Sequence, residues 1–375
     1  MSYKNIYILG VGGSGMSSIA KYLKQKGDNV IGYDQRKSYV TNLLNQDGIK
    51  VVHTLDEITY KPHSLYIYSS AIPIESDRFE DFHDKENVLS RPEYLKNLSE
   101  NHKIIGITGT HGKTSTTALL SHIFHFNNVN VSYLYGGITT FNGIGGHYGD
   151  PDQPLILETD EAFNTFEKIK ISDLLVLNVD SDHLDYFKNL DNYKDAFYKV
   201  MKNVTDNLVI NNDDLNIKSM KELKNPVSYG KDIAADFKVQ SPGTFIYENN
   251  KYEIKSDIIG DHFKANMLGA IILALLNGIE IKDSLNAIES FAGVKRRIEL
   301  IGISKGVLIY DDYGHHPTEM EATITALKQQ TKSKLYVVFQ PHRYTRTMEY
   351  FSSFKDSLKL ADFAIVTDIY PAGES

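Results

Sequence analysis

The sequence predicts an α/β protein of about two or three units, each a sheet layered with helices. Three observations carry that expectation. Short apolar runs alternate with helix-like segments throughout, which is the pattern of parallel strands joined by helices. Two strand–glycine loop–helix units recur, over residues 5–22 and 103–122, and each would start a separate domain. At 375 residues the chain is too long for one ordinary core. A polar linker over 97–103 and a basic turn near 293–299 divide it into 1–100, 101–295 and 296–375. The third piece is short for its type and stops soon after a strand over 363–367, so it is expected to be incomplete and to expose a sheet edge.

Composition removes several function classes. A hydrophobic content of 41% can build real cores, while a formal charge of −8 argues against a nucleic-acid surface, which calls for a basic excess. The opening residues lack the basic flank and long apolar core of a secretory signal, and no apolar run approaches the ~18 residues of a membrane span. With no cysteine, disulfides, thiolate metal sites and cysteine nucleophiles are excluded. A soluble cytoplasmic enzyme without membrane insertion is the simplest expectation.

In the first piece the strand over 6–9 runs into Gly10, Gly12, Gly13, Ser14, Gly15 and Met16, a G-x-G-x-x-G loop that opens a helix. Asp34 closes the next strand at the distance where an acid meets a ribose hydroxyl. NAD fits this Rossmann-like pattern, as does any ligand with a diphosphate; a tight turn that only packs helix on strand uses the same glycines. Ser69, Ser70 and Ala71 follow the apolar run over 65–68 and can present hydroxyls to the same ligand.

The second piece opens with the most informative stretch. A strand over 104–108 enters Gly109, Thr110, His111, Gly112, Lys113, Thr114 and Ser115, so that backbone N–H groups, a positive helix end and a lysine converge on one point. This is a phosphate loop of a shorter variety, because the strict P-loop pattern has glycine where this chain has Ile107. The hydroxyl of Thr114 can ligate the magnesium carried by ATP. Two further buried-looking strands end in polar residues, one at Glu158 and one before Asp182 and His183. In a parallel sheet these ends share an edge with the phosphate loop, so Glu158 and His183 can reach a metal there; ordinary polar loops read the same way. His262 and Asn266, at spacing i, i+4, start an apolar helix and can either read an adenine edge or cap the helix.

In the third piece Asp311, Asp312, Tyr313, Gly314, His315 and His316 follow a strand and open a helix. Gln340, His342, Arg343 and Arg346 follow another, and two arginines three apart suit a carboxylate clamp. Arg296 and Arg297, at the second boundary, either reach back to ATP phosphates or form a solvated hinge.

Taken in order, the loop at Gly10–Met16, Ser69–Ile72, Gly109–Thr114, Glu158–Glu161, Asp182–His183, Arg296–Arg297, Asp311–Pro317 and Gln340–Arg346 resemble the Mur ligase family over nearly the whole chain. The resemblance implies a sugar-nucleotide domain, a P-loop-type ATPase domain and a Rossmann-like amino-acid domain. It further implies ATP-dependent joining of L-alanine to UDP-N-acetylmuramate through an acyl phosphate, with ATP and Mg2+ as cofactors. By that resemblance Lys113 holds the β/γ-phosphates, Thr114 and Glu158 hold one magnesium, and Glu158 with His183 serves a second ion. His262 and Asn266 would face adenine, Arg297 and Asp312 the phosphates and ribose. Tyr313, His315, His342, Arg343 and Arg346 would receive the amino acid, while the Gly10–Met16 loop, Asp34 and Ser69–Ala71 would hold the UDP-sugar.

Two departures stand out: Phe263 occupies a position where the family carries an asparagine, and Phe197 stands where several sister ligases carry a carbamylated lysine, so no carbamate is expected. Three rival readings remain. A recycling ligase that attaches a tripeptide to the same sugar nucleotide shares the ATP and sugar motifs, but tends to have Phe-Ala at Tyr313-Gly314 and lacks the Gln-Pro-His-Arg segment. An NAD-dependent oxidoreductase would leave Lys113, Glu158 and His183 without purpose. The third is an inactive nucleotide-binding fragment.

Overall fold

The computed structural model describes residues 3–162, 165–182 and 184–374. Its first segment is β1 (Asn5–Leu9), α1 (Ser14–Gln25), β2 (Val30–Tyr33), α2 (Tyr39–Gln46), β3 (Lys50–Val52), β4 (Ser64–Tyr68), β5 (Val88–Ser90) and α3 (Arg91–Ser99). All strands are parallel in the order β3-β2-β1-β4-β5. The order reverses between β1 and β4, and the Gly10 loop leaves β1 at that switch point, where such sheets bind ligands. Residues 97–99, expected in a linker, instead complete α3. That helix is set by a capping box between Ser90 and Glu93 with proline in its first turn, and Leu95 anchors its buried face.

The second segment follows as β6 (Ile104–Thr108), α4 (Lys113–Phe126), β7 (Ser132–Thr139), β8 (Gly143–His147), β9 (Leu155–Glu158), β10 (Asp173–Val176), α5 (Leu184–Phe187), α6 (Leu190–Lys202), β11 (Asn207–Asn211) and α7 (Leu215–Lys218). It continues through β12 (Val227–Gly230), β13 (Phe237–Ser241), β14 (Thr244–Tyr247), β15 (Asn250–Glu253), α8 (Asp261–Leu276) and α9 (Ile281–Ser290). The ten strands lie in the order β15-β14-β13-β12-β11-β10-β6-β9-β7-β8. β6 is central and buried on both faces: Ile104 feeds one core, Ile105 and Ile107 the other. Against the all-parallel expectation, β7 and β8 pair antiparallel, as do β13, β14 and β15. Both are hairpin-type excursions at the sheet edges; in the β13–β15 meander Gly243 at φ +81° and the pair Glu248 and Asn249 at positive φ supply the turns.

The first two segments share one core rather than meeting at a wet boundary. Ile19 and Tyr22 of α1 pack in the same apolar cluster as Leu134 of β7 and Ile144 of β8. Buried Lys21 donates to the backbone carbonyls of Asn142 and Ile144 across that junction. Phe197 is fully buried against Phe166 and Tyr193.

The third segment comprises β16 (Glu299–Ser304), β17 (Val307–Asp311), α10 (Pro317–Gln330), β18 (Tyr336–Phe339), α11 (Tyr344–Glu349), α12 (Phe351–Leu358) and β19 (Phe363–Val366). β16 pairs antiparallel with β17, and β18 parallel with β19, as two separate ribbons. Apolar side chains on both ribbons lie exposed, among them Ile303, Val307, Val338 and Ile365.

Candidate active site

The sheet order explains why the Gly109–Thr114 loop and Glu158 meet. β6 lies between β10 and β9 with all three parallel, so the loops leaving their C-terminal ends stand side by side. After β6 the chain turns through Gly109 at φ +143° and Gly112 at φ +87°. A Cβ on Gly112 would come within 2.4 Å of the Asn266 side-chain amide and would be strained at φ +87°, so the turn favours glycine. α4 then begins at Lys113 with no side-chain cap, leaving its first-turn N–H groups available to an anion.

Lys113 Nζ donates to the carbonyls of Gly109 (2.7 Å) and Thr110 (3.1 Å) and to Glu161 Oε1 (3.0 Å). Burial disfavours its charge, but Glu161, Asp160 and Glu158 together outweigh that and hold its pKa above the ordinary value. The ammonium therefore stays charged and aligned with the loop. Thr114 Oγ1 donates to Glu158 Oε1 at 2.7 Å, and the Gly136 N–H donates to Glu158 Oε2 at 2.6 Å. Glu158 is thereby fixed with an alcohol and a carboxylate side by side, an all-oxygen donor set that fits magnesium. His183, expected as a further metal ligand, lies outside the described residues.

The glycine loop after β1 reaches the same crevice. Gly15, Ser18 and Arg91 line a small hollow with Gly136 and Glu158. Ser69 packs on Gly10, and its N–H donates to the Leu9 carbonyl, so the serine loop lies beside the glycine loop as expected. Asp34, expected to face a ribose, instead accepts from the Gly12 N–H at 2.9 Å and braces the turn.

The third segment is bolted to the Gly109–Thr114 loop through His111. Asn178 accepts from the His111 N–H (2.8 Å) and donates to its carbonyl (2.9 Å), which fixes the backbone. The imidazole spans two acids, with Nε2 3.2 Å from Asp180 Oδ2 and Nδ1 3.3 Å from Glu319 Oε1 of α10. Thr318 Oγ1 also donates to Asp180 Oδ2, at 2.7 Å. Burial alone would lower the His111 pKa, but the hydrogen bonds and charges of Asp180 and Glu319 prevail and raise it to about 9. Burial would raise Glu319, yet His111, His315 and Arg297 hold its carboxyl far below the usual range.

A pH dependence follows. The folded value of about 9 exceeds the ordinary 6.5 of histidine, so this contribution is complete below pH 6.5 and disappears as pH rises through 9. Unfolding free energy is expected to fall over that window by on the order of 3 kcal/mol, and Glu319→Gln should flatten the decline. Denaturant titrations across the window in metal-free buffer measure it; a flat wild-type profile would contradict the assignment.

The structure separates several residues expected to act together. Arg343 Nε faces Glu374 (3.5 Å), whereas Arg346 Nη2 faces Asp182 Oδ1 (3.4 Å), so the two guanidiniums engage different acids instead of forming one ready clamp. Asp312, expected at ribose and phosphates, accepts from the N–H groups of Ile298 and Gly314, both at 2.8 Å, and so organises the loop. Arg296 and Arg297 stack over the Tyr313 ring at 4.8 and 5.6 Å, and Arg297 lies 3.9 Å from Glu319. His315 and His342 are near neighbours, with ring centroids 6.0 Å apart. Asn266 and Arg297 line one recess with Ser115, while His262 lines a separate one near β13 and β14. Sequence reasoning gave no role to Glu161, Asp180 and Glu319. Glu161 lies in a motif visible in the sequence, but its pairing with Lys113 is a tertiary contact.

Three family models account for most of the chain: "Mur ligase family, catalytic domain" at residues 5–103, "Mur ligase middle domain" at 107–274, and "Mur ligase, glutamate ligase domain" at 296–375. The chain belongs to the Mur ligase family. A UDP-N-acetylmuramate–L-alanine ligase of Clostridium botulinum is 36% identical, covering 99% of this chain and 84% of the relative. The protein of the same name from Caldicellulosiruptor saccharolyticus is also 36% identical, over 98% of this chain and 84% of its own length. Among solved structures, the UDP-N-acetylmuramate-alanine ligase MurC of Thermotoga maritima matches with a TM-score of 0.82 at 26% identity, over 99% of this chain and 86% of that one. A murein peptide ligase of Psychrobacter arcticus shares the fold, with a TM-score of 0.74 at 23% identity over 97% and 84% of the two chains. The α/β architecture of this Mur ligase is thus that of the MurC structure. Among its described residues, no helix is long and apolar enough to cross a membrane.

Proposed function

We propose that this Mur ligase joins L-alanine to UDP-N-acetylmuramate while ATP is converted to ADP and phosphate by phosphoryl transfer to the substrate carboxylate, a C–N ligation of cytoplasmic peptidoglycan precursor synthesis. The observation that carries the reading is the convergence of the phosphate loop, Glu158 and the glycine loop of β1 on one crevice. Relatives 36% identical over nearly the whole chain bear the name of that activity, which supports it. The lactyl carboxylate would attack the γ-phosphorus of ATP, releasing ADP and leaving an acyl phosphate. The alanine amine would add to the acyl carbon and lose a proton, and phosphate would depart with the C–O bonding pair.

Such chemistry needs alignment and charge neutralisation more than a protein nucleophile. Lys113 and the first-turn amides of α4 would hold the β/γ-phosphates. Thr114 and Glu158 would hold a magnesium ion, which supplies charge neutralisation on the phosphates when bound. Arg297, braced on Tyr313, faces the same recess as Ser115 and would contact the nucleotide. Asn266, against Gly112, and His262 would flank the base. For the amino acid we assign Tyr313, His315, His342, Arg343 and Arg346, with the arginines leaving Glu374 and Asp182 to take its carboxylate.

Arg346→Ala is therefore expected to raise the KM for L-alanine by more than about tenfold while leaving the KM for ATP within about twofold. Steady-state kinetics with each substrate varied separates the two, and an equal rise in both would contradict the assignment. Mass spectrometry of the products formed from UDP-N-acetylmuramate with an equimolar panel of alanine, serine, glycine and tripeptide tests the substrate. The alanine adduct should dominate; a dominant tripeptide adduct would favour the recycling reaction.

A further inference from the structure

A second cluster of ligating side chains lies where the third segment meets the ATP loop. His111 follows β6, Asp180 follows β10 and His316 immediately precedes α10, and one donor atom from each lies within 4.8 Å of the others. His316 is 3% exposed, and among the described residues its Nε2 has no hydrogen-bond partner. A buried polar atom left in that state costs about 1–3 kcal/mol, so the position calls for a ligand.

The surroundings already have the form of a metal site's outer shell. Glu319 Oε1, 3.3 Å from His111 Nδ1, can keep that nitrogen as the N–H and leave Nε2 for ligation. Thr318 Oγ1 orients the Asp180 carboxylate through its 2.7 Å hydrogen bond. We propose that His111, Asp180 and His316 bind one divalent first-row transition metal, zinc above all, and that the ion staples the third segment to the ATP loop. Two imidazoles and one carboxylate form a donor set suited to zinc rather than magnesium. It shares no residue with the all-oxygen Thr114–Glu158 pair.

Bonds of about 2.0–2.2 Å require donor atoms roughly 3–3.5 Å apart, so the widest pair, no more than 4.8 Å apart, would close by at most ~1.5 Å. Rotation of the two rings, whose centroids are 5.0 Å apart, would supply much of that movement. The ion replaces the proton shared between His111 Nε2 and Asp180. His316 must also present its Nε2 lone pair, which moves its proton to Nδ1 and gives up the long 3.3 Å bond accepted there from the Thr318 N–H. The other half of the capping box at the start of α10 stays in place, with Glu319 Oε2 accepting from the His316 N–H at 3.4 Å.

The test uses the full chain, stripped of metal and free of nucleotide, titrated with Co2+ as a visible probe and then with Zn2+. One Co2+ per chain is expected, displaced by Zn2+ and retained in excess Mg2+. His316→Asn, which keeps a good helix cap, and Asp180→Asn should each weaken Zn2+ binding by more than about tenfold. Glu158→Gln should change it by less than about twofold, and circular dichroism of each variant establishes that it is folded. If His316→Asn fails to fold, His316→Gln takes its place. Unchanged affinity in the folded His316 and Asp180 variants, absence of stoichiometric binding, or loss of binding in Glu158→Gln would each overturn the proposal; the last would put the ion at the nucleotide pair.

Discussion

Lys113→Met is expected to lower ATP turnover by at least ~10³-fold, the combined loss of a phosphate-binding charge and of the loop geometry that it fixes. It should also lower stability by about 3 kcal/mol, because Glu161, only 1% exposed, would remain buried without its main counter-charge. The double variant Lys113→Met/Glu161→Gln separates the two effects. Stability should largely return, since neither partner is then charged, while turnover should not. Denaturant unfolding alongside phosphate-release kinetics on both variants provides the check. Recovery of turnover in the double variant would mean that Lys113 serves only as a buried structural cation.

Glu158→Gln carries the second large effect. The substitution keeps the size of the side chain and one acceptor oxygen, so the contacts to Thr114 Oγ1 and the Gly136 N–H are only partly disturbed and stability should change by less than about 1 kcal/mol. In the proposed site the charge that would face an ATP-bound magnesium is lost, and turnover should fall by ~10²–10³-fold with a raised magnesium requirement. Rates measured over a magnesium series decide the matter. An unchanged requirement would place the ion away from Glu158.

Much of this arrangement was legible before the fold was known, for local reasons. The glycines after β1 and β6, each followed at once by a helix, declare phosphate-type loops because a left-handed or tightly approached backbone leaves little other choice. Glu158 was legible because parallel strands put their polar ends on one edge, and β9 does pair with β6. The contacts that bind the site together were not. His111 meets Glu319 across 208 positions and Lys113 meets Glu161 across 48, and no local pattern encodes such separations.

The arginines illustrate a different limit. A pair spaced i, i+3 reads as a clamp, but Arg343 sits at φ +72°, just before α11, and turns toward Glu374, while Arg346 within the helix turns toward Asp182. Likewise, the sequence pattern makes Asp34 and Asp312 candidates to face a ligand, and in the structure both accept from nearby backbone N–H groups. Short acids beside tight turns tend to satisfy the turn first. The antiparallel β13–β15 meander escaped notice because its strands are short and only Phe237 and Phe245 are buried along them.

The most direct test of the central claim, that the phosphate loop serves amide formation, is phosphate release from ATP in the presence of magnesium and UDP-N-acetylmuramate, with L-alanine present or withheld. Release is expected only when all three substrates are present, with one phosphate for each UDP-N-acetylmuramoyl-L-alanine formed. Release at the same rate without L-alanine, or none with the complete mixture, would contradict it.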